Sequence, residues 1–175
     1  MELEIPSGIE VSVVEEESLL RIKGRLGSTE KRFNTKFTNV SIKGGKLFIE
    51  PGRNAKLKKR SELVEQALSN EARSAFAGVQ DGIEQRMEIV YAHFPISVEV
   101  KGKRLMVKNL FGRRVPTGAG IVGDTKIEIK GQELMVKGVD NYDVGQTVAN
   151  IRKACAARGY DSRVFQDGIY KPKAD

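Results

Sequence analysis

Four landmarks in this chain recur in the same order roughly half a chain apart, and that duplication limits its fold more than any other feature. "IPSGIEV" matches "FPISVEV", pairing Pro6 with Pro95 and Val11 with Val100, an offset of 89 residues. "LLRIKGRLG" matches "RLMVKNLFG" at 85 (Leu20 with Leu105, Gly27 with Gly112), and "VSIKGGKLFI" matches "IEIKGQELMV" at 87 (Ile42 with Ile129, Leu47 with Leu134). Gln-Asp-Gly-Ile closes both series, at 80–83 and 166–169, an offset of 86. Offsets this close leave room for short loop insertions only. Each half must therefore bury a core of its own with one shared order of elements.

The periodicities supply that order. Ile9, Val11 and Val13 alternate with polar residues, as do Leu20 with Ile22, Val40 with Ile42, and Leu47 with Ile49, the period of half-buried strands. The period then lengthens. Val64, Leu68, Ala72, Ala75 and Phe76 make a helical stripe, with Ser61 as N-cap and Gly78 as terminator. The second half repeats this with Ile96, Val98 and Val100, Leu105 and Val107, Ile127 and Ile129, and Leu134 and Val136. A second helix follows, carrying Val144, Val148, Ile151 and Cys155 on one face, with Gly159 beyond its end. Inside the large repeat lies a small one: "IKGGKL", "VKGKRL" and "IKGQEL" each place a glycine (Gly44, Gly102, Gly131) where a tight hairpin needs positive φ. The expected fold is α+β, in two tandem modules spanning 1–80 and 81–175, each a small antiparallel sheet packed on one helix.

The charge is distributed unequally over this frame. Residues 1–83 carry 14 basic and 12 acidic side chains (+2), whereas residues 84–175 carry 16 and 11 (+5). Six cations (Lys101, Lys103, Arg104, Lys108, Arg113 and Arg114) fall between 101 and 114 without an acid. A basic half with such a stretch points to a polyanion. No apolar run approaches the ~20 residues that span a bilayer, and the first residues have no secretory-signal pattern. A single cysteine, Cys155, fits a reducing cytosol, and with a single histidine, His93, it cannot build a zinc site. No metal or cofactor is expected.

Candidate chemistry is correspondingly one-sided. "GRLGS" and "TGAGIVGDT" are rich in glycine, but the first lacks the lysine and following helix of a phosphate loop. The second has the wrong glycine spacing and precedes a strand, so both are expected to be flexible loops. Glu15, Glu16 and Glu17 read as a solvated hairpin tip, His93 as a packed linker residue, and the basic run 56–60 as solvated. No acid–base pair is apparent, and the chain is not expected to be an enzyme. "KNLFGRRVP" surrounds Phe111 with Lys108, Arg113 and Arg114, and "RVFQDGIYKPK" combines Arg163, Lys171 and Lys173 with Phe165, Tyr170 and a backbone loosened by Gly168. Cations neutralise phosphates and aromatic rings stack on unpaired bases, so both segments suit RNA, Phe111 only if its ring is exposed rather than in the core. Asn150, Arg152, Lys153 and Arg158 lie off the apolar stripe of the second helix, as a solvated face or one that meets phosphates.

The segments "VYAHFP" (90–95), "NLFG" (109–112), "GDTKIEIKG" (123–131), "DVGQTVANI" (143–151) and "RVFQDGIY" (163–170) resemble signature segments of a known family. It is the large-subunit ribosomal protein numbered six in the universal nomenclature, in its archaeal and eukaryotic branch. The resemblance covers almost the whole chain and is strongest in the second half. It implies two copies of one α+β fold and a structural, rRNA-binding role in the cytoplasmic large subunit, near the sarcin–ricin loop that serves the translational GTPases. The implied partners are 23S-type rRNA, neighbouring ribosomal proteins and, indirectly or transiently, elongation factors, with no membrane. Carried over by position, the implied contacts are Lys108, Asn109, Phe111, Gly112, Arg113 and Arg114 in one loop, and Arg163, Phe165, Gln166, Asp167, Gly168, Tyr170 and Lys171 in the tail. Arg152 and Lys153 on the second helix join them. Arg25 stands where the family usually has proline, and "TGAG" replaces a more basic stretch. A protein–protein adaptor with a basic surface is the alternative that residue chemistry leaves open. The first Gln-Asp-Gly-Ile is expected to be a structural joint, and the second, flanked by Arg163, Tyr170 and Lys171, to meet RNA.

Overall fold

The computed structural model describes residues 1–14, 18–52, 58–92, 94–161 and 163–172. The glutamates 15–17, Lys56 of the basic run, His93 and Lys173 lie outside them. The chain divides into two compact units, Met1–Gly82 and Ile83–Asp175.

The first unit contains β1 (Glu2–Glu4), β2 (Glu10–Val14), β3 (Leu19–Lys23), β4 (Ser28–Arg32), β5 (Thr38–Lys43), β6 (Lys46–Pro51) and α1 (Lys58–Gln80). Its strands form two antiparallel sheets, in the orders β2-β3-β4 and β1-β6-β5. Leu20, Ile22, Leu47 and Ile49 are fully buried, with Leu68, Ala72, Phe76 and Val79 of α1 also in the core. Both ends of α1 differ from the sequence expectation. The helix starts at Lys58, so Ser61 is no cap but a fully buried residue inside it. At the other end the helix runs past Gly78 to Gln80, because Val79 has a buried place to fill beside Gly24, where it leaves no room for a Cβ. Gly82, at φ 78°, ends the turn.

The second unit repeats the plan: β7 (Ile83–Val90), β8 (Ser97–Lys101), β9 (Arg104–Lys108), a 3-10 turn at Leu110–Gly112, β10 (Thr117–Gly120), β11 (Lys126–Lys130), β12 (Glu133–Gly138), α2 (Asn141–Ala154) and β13 (Gly168–Tyr170). Its sheets are β10-β9-β8 and β11-β12-β7-β13. Each copy thus divides its strands between two sheets rather than one. The three hairpin glycines Gly44, Gly102 and Gly131 take φ of 57°, 58° and 60°. Asp140 caps α2 by accepting the Tyr142 N–H at 2.9 Å. The core gathers Met87, Leu105, Val107, Leu134, Val136 and Ile169 against Val144, Val148 and Ile151 of α2.

Two further expectations are corrected. Val11 pairs with Ile22 and Val98 with Val107, so the ladders equate Val11 with Val98 rather than Val100. A slip of two residues leaves every side chain on its original face, so hydrophobic alternation could not reveal it. Residues 117–120 are not a loop but β10, in register with β9 from Thr117↔Val107 to Gly120↔Arg104, with Ala119 buried.

Candidate nucleic-acid interface

The interface is built from the end of β9 outward. Asn109 (φ 60°), Phe111 (φ 53°) and Gly112 (φ 71°) are all left-handed, which folds the chain sharply back. A non-glycine residue in that region costs about 1 kcal/mol or more, and here the surroundings offset it. The Asn109 side chain donates to the Pro95 carbonyl at 3.1 Å, and the Phe111 ring enters the core at 7% exposure. There Phe111 stacks on Tyr160 (4.9 Å between centroids), and Phe165 meets Tyr160 edge-on at 5.1 Å. The reversal brings Arg113 out beside this trio, its guanidinium carbon 5.6 Å from the Tyr160 centroid and 5.9 Å from that of Phe111. A guanidinium held over rings keeps its face occupied and leaves its N–H edges free for an anion.

Arg113 forms one wall of a groove of about 490 Å³, and Lys153 and Arg158 complete its cationic lining. Gly118 and Gly120 of β10 lie along it, and Asn150 projects from α2. Asn150 is fixed at both ends of its amide, donating to Gly120 O at 3.0 Å and accepting from Gln146 at 3.1 Å. Arg152 and Lys153 stand in the last turn of α2, where the helix carbonyls favour positive charge. Those carbonyls repel an anion, so attraction in the groove has to come from the three cations. Arg113, Lys153 and Arg158 have no ion-pair partner among the described residues.

The remaining expected contact residues divide by environment. Arg114, Arg152, Arg163, Gln166 and Lys171 are exposed. Lys108 is exposed but engaged, 2.6 Å from Glu99, which also lies 3.7 Å from Lys101. The hydrogen bond from Lys108 holds the Glu99 carboxyl below the ordinary carboxylate range, with Lys101 adding to the effect. The apparently acid-free stretch therefore receives an acid from the neighbouring strand. Gly112 is exposed, with the Phe94 ring 3.2 Å from where a Cβ would stand. Phe111 does not present its ring to solvent, and Phe165 is half-buried against the same core. Asp167 is 1% exposed, and its Oδ1 accepts the Ala92 N–H at 2.8 Å. Gly168, expected to loosen the tail, is buried in β13 and pairs with Val90. Tyr170 lies over it, 3.0 Å from a hypothetical Gly168 Cβ, and remains 44% exposed. Tyr160, which lies under Arg113, carries no signal in the sequence, and the two β10 glycines read there only as part of a flexible glycine-rich loop. Their partners are distant in the chain, and only the folded register reveals them.

Cys155 is inert here. Burial pushes its thiol up to about 12, against a smaller opposing effect from a backbone hydrogen bond with Ile169. Among the described residues no group of His, Cys, Asp or Glu is placed to hold a metal ion, and no helix is long and apolar enough to cross a membrane.

The fold therefore defines a class of duplicated α+β proteins, here with a groove on one copy lined by Arg113, Lys153 and Arg158, which have no ion-pair partner among the described residues. Residues 94–168 match the family model for ribosomal protein L6. The chain is 38% identical over 170 residues to the large ribosomal subunit protein uL6 of Methanocella arvoryzae, covering 97% of this chain and 93% of that protein. It is 36% identical over 168 residues to the uL6 protein of Methanothrix thermoacetophila (96% and 93% covered), and 33% over 174 residues to that of Picrophilus torridus (99% and 94%). The chain belongs to the uL6 family of ribosomal proteins, a structural and non-enzymatic class.

Proposed function

We propose that this chain is a structural constituent of the cytoplasmic large ribosomal subunit and holds 23S-type rRNA chiefly through its second unit. Its site lies near the sarcin–ricin region that serves the translational GTPases, in contact with neighbouring ribosomal proteins and only indirectly or transiently with elongation factors. Family membership supports the subunit assignment. The observation that carries the RNA assignment is the convergence of Arg113, Lys153 and Arg158, without ion-pair partners among the described residues, on one groove. Arg114, Arg152, Arg163 and Lys171 extend the positive surface around them.

Binding that depends on phosphates releases counterions, so affinity falls steeply with salt. The test is the slope of log affinity against log salt, measured with full-length archaeal 23S-type rRNA. The triple variant Arg113→Ala/Lys153→Ala/Arg158→Ala should flatten that slope by about one unit per lost phosphate contact. A wild-type affinity indifferent to salt, or a triple variant with the wild-type slope, would refute the reading. In cells the chain should pellet with large subunits and leave them in high salt.

A further inference from the structure

Most glycines in this chain have a reason within the protein. Gly102 and Gly131 take positive φ in hairpins, while Gly24, Gly52 and Gly138 each face a neighbour 2.7 Å from where a Cβ would stand. Gly118 and Gly120 have neither reason. Their φ values are ordinary. A Cβ on Gly118 would lie 3.4 Å from the flexible Met106 sulfur, and one on Gly120 would lie 3.9 Å from the Asn150 amide, both ordinary van der Waals contacts. Glycine weakens a strand, and where neither backbone nor packing demands it, it marks a place that something outside the protein approaches closely. Both residues are exposed, alternate with buried Ala119, and line the groove that Arg113, Lys153 and Arg158 surround.

We propose that β10 is a contact rail for RNA: one sugar–phosphate strand lies directly against the main chain at Gly118 and Gly120, its phosphates held by Arg113, Lys153 and Arg158. The proposal rests on the rRNA-binding reading above and sharpens it, because a merely electrostatic surface would tolerate side chains at 118 and 120. Arg113 suits the task because Tyr160 and Phe111 occupy its face and leave its edge for a phosphate. Asn150, locked onto the Gly120 carbonyl, holds α2 and β10 together across the groove. The ligand class is a ribose–phosphate backbone, read by shape and charge rather than by base edges.

The experiment compares Gly118→Val and Gly120→Val with wild type in affinity for full-length archaeal 23S-type rRNA and in thermal midpoint. Valine suits a strand, so the midpoints should hold or rise while affinity falls by about tenfold or more at physiological salt. Gly118→Ala and Gly120→Ala, which add a single methyl, settle the matter should either valine variant fail to fold, and they should weaken binding in the same direction. Gly145 of α2 is the control: it has open space where a Cβ would stand but does not line the groove, so Gly145→Ala should bind as wild type does. Wild-type affinity in the folded β10 variants would overturn the proposal, as would an equal loss from Gly145→Ala. Failure of the rRNA reading would look different, because wild type itself would bind without salt dependence.

Discussion

The two copies of Gln-Asp-Gly-Ile allow one substitution to be tested twice in a single chain. Asp81 is exposed, and no side-chain partner is found for it among the described residues. Asp167 is 1% exposed and accepts the Ala92 N–H at 2.8 Å. Removing a charged acceptor from a part-buried hydrogen bond such as this one costs about 1.5–3 kcal/mol. Asp167 Oδ2 has no partner among the described residues, so deleting it relieves some desolvation and offsets part of that loss. The net cost of Asp167→Ala should therefore be about 1–2 kcal/mol, whereas Asp81→Ala should stay within about 0.5 kcal/mol. All four tyrosines lie in the second unit and the chain has no tryptophan, so tyrosine fluorescence during urea unfolding follows that unit alone. With a slope of about 2 kcal/mol/M, Asp167→Ala should lower the fluorescence midpoint by about 0.5–1 M. Far-UV circular dichroism, which follows both units, should show Asp81→Ala unchanged. Asp167→Asn keeps an acceptor and should recover part of the loss. Equal costs at the two aspartates, or an Asp167→Ala midpoint indistinguishable from wild type, would refute the buried hydrogen bond as the reason for the second motif.

Two other outcomes follow from the site's electrostatics. Cys155, with its thiol pushed up to about 12 by burial, should resist alkylation at pH 8 in the folded chain and react once urea unfolds it; rapid labelling of native protein would contradict its burial. Glu99→Gln frees Lys108 and Lys101, so rRNA affinity at low salt should rise and the salt slope steepen by about one unit per cation recruited to phosphate. Because the Glu99 carboxyl is held low, the ion pairs are intact at neutral pH and are lost as pH falls through that lowered value. An unchanged slope in Glu99→Gln would show that neither lysine reaches the RNA.

How much of this was legible depends on how local the physics is. Gly44, Gly102 and Gly131 between β-branched residues and leucine announce hairpins, since turn and flanking strands occupy six consecutive residues. The apolar stripe of α2 is equally local, whereas its Asp140 cap emerges only in the structure. β10 was invisible because Ala119 is its only buried residue, and "TGAG" has no amphipathic signal without β9 beside it. Phe111 could not be placed by counting, because three left-handed residues turn its ring inward, and left-handed Asn109 and Phe111 violate the local preferences that sequence reading relies on. Lys108 looked unopposed because its partner Glu99 is adjacent only across the hairpin. Charge along the chain and charge across a sheet are different quantities: Lys108 meets an acid only across the sheet, whereas Arg113, Lys153 and Arg158 have no ion-pair partner among the described residues.

The shared tetrapeptide also shows how duplicated copies part. α1 runs to Gln80, so the first Asp-Gly is its terminal turn and the following Ile83 opens β7. α2 stops at Ala154, and residues 155–167 bring Tyr160 and Phe165 against Phe111 before the second Gly-Ile becomes β13. Both isoleucines thus enter the same four-stranded sheet, where Ile169 pairs with Ile89 and closes the outer edge of β7. In the first copy β1 takes the place of β7, since Leu3↔Leu47 corresponds to Met87↔Leu134. Among the described residues β1 pairs only with β6, so its other edge has no β13. The same correspondence sets Pro6 where Val90 pairs with Gly168, and a proline there removes an N–H that an intruding strand would need. One copy protects its sheet edge with an imino acid. The other does so with a strand, and the residues leading to that strand place Tyr160 beside Arg113 at the cationic groove.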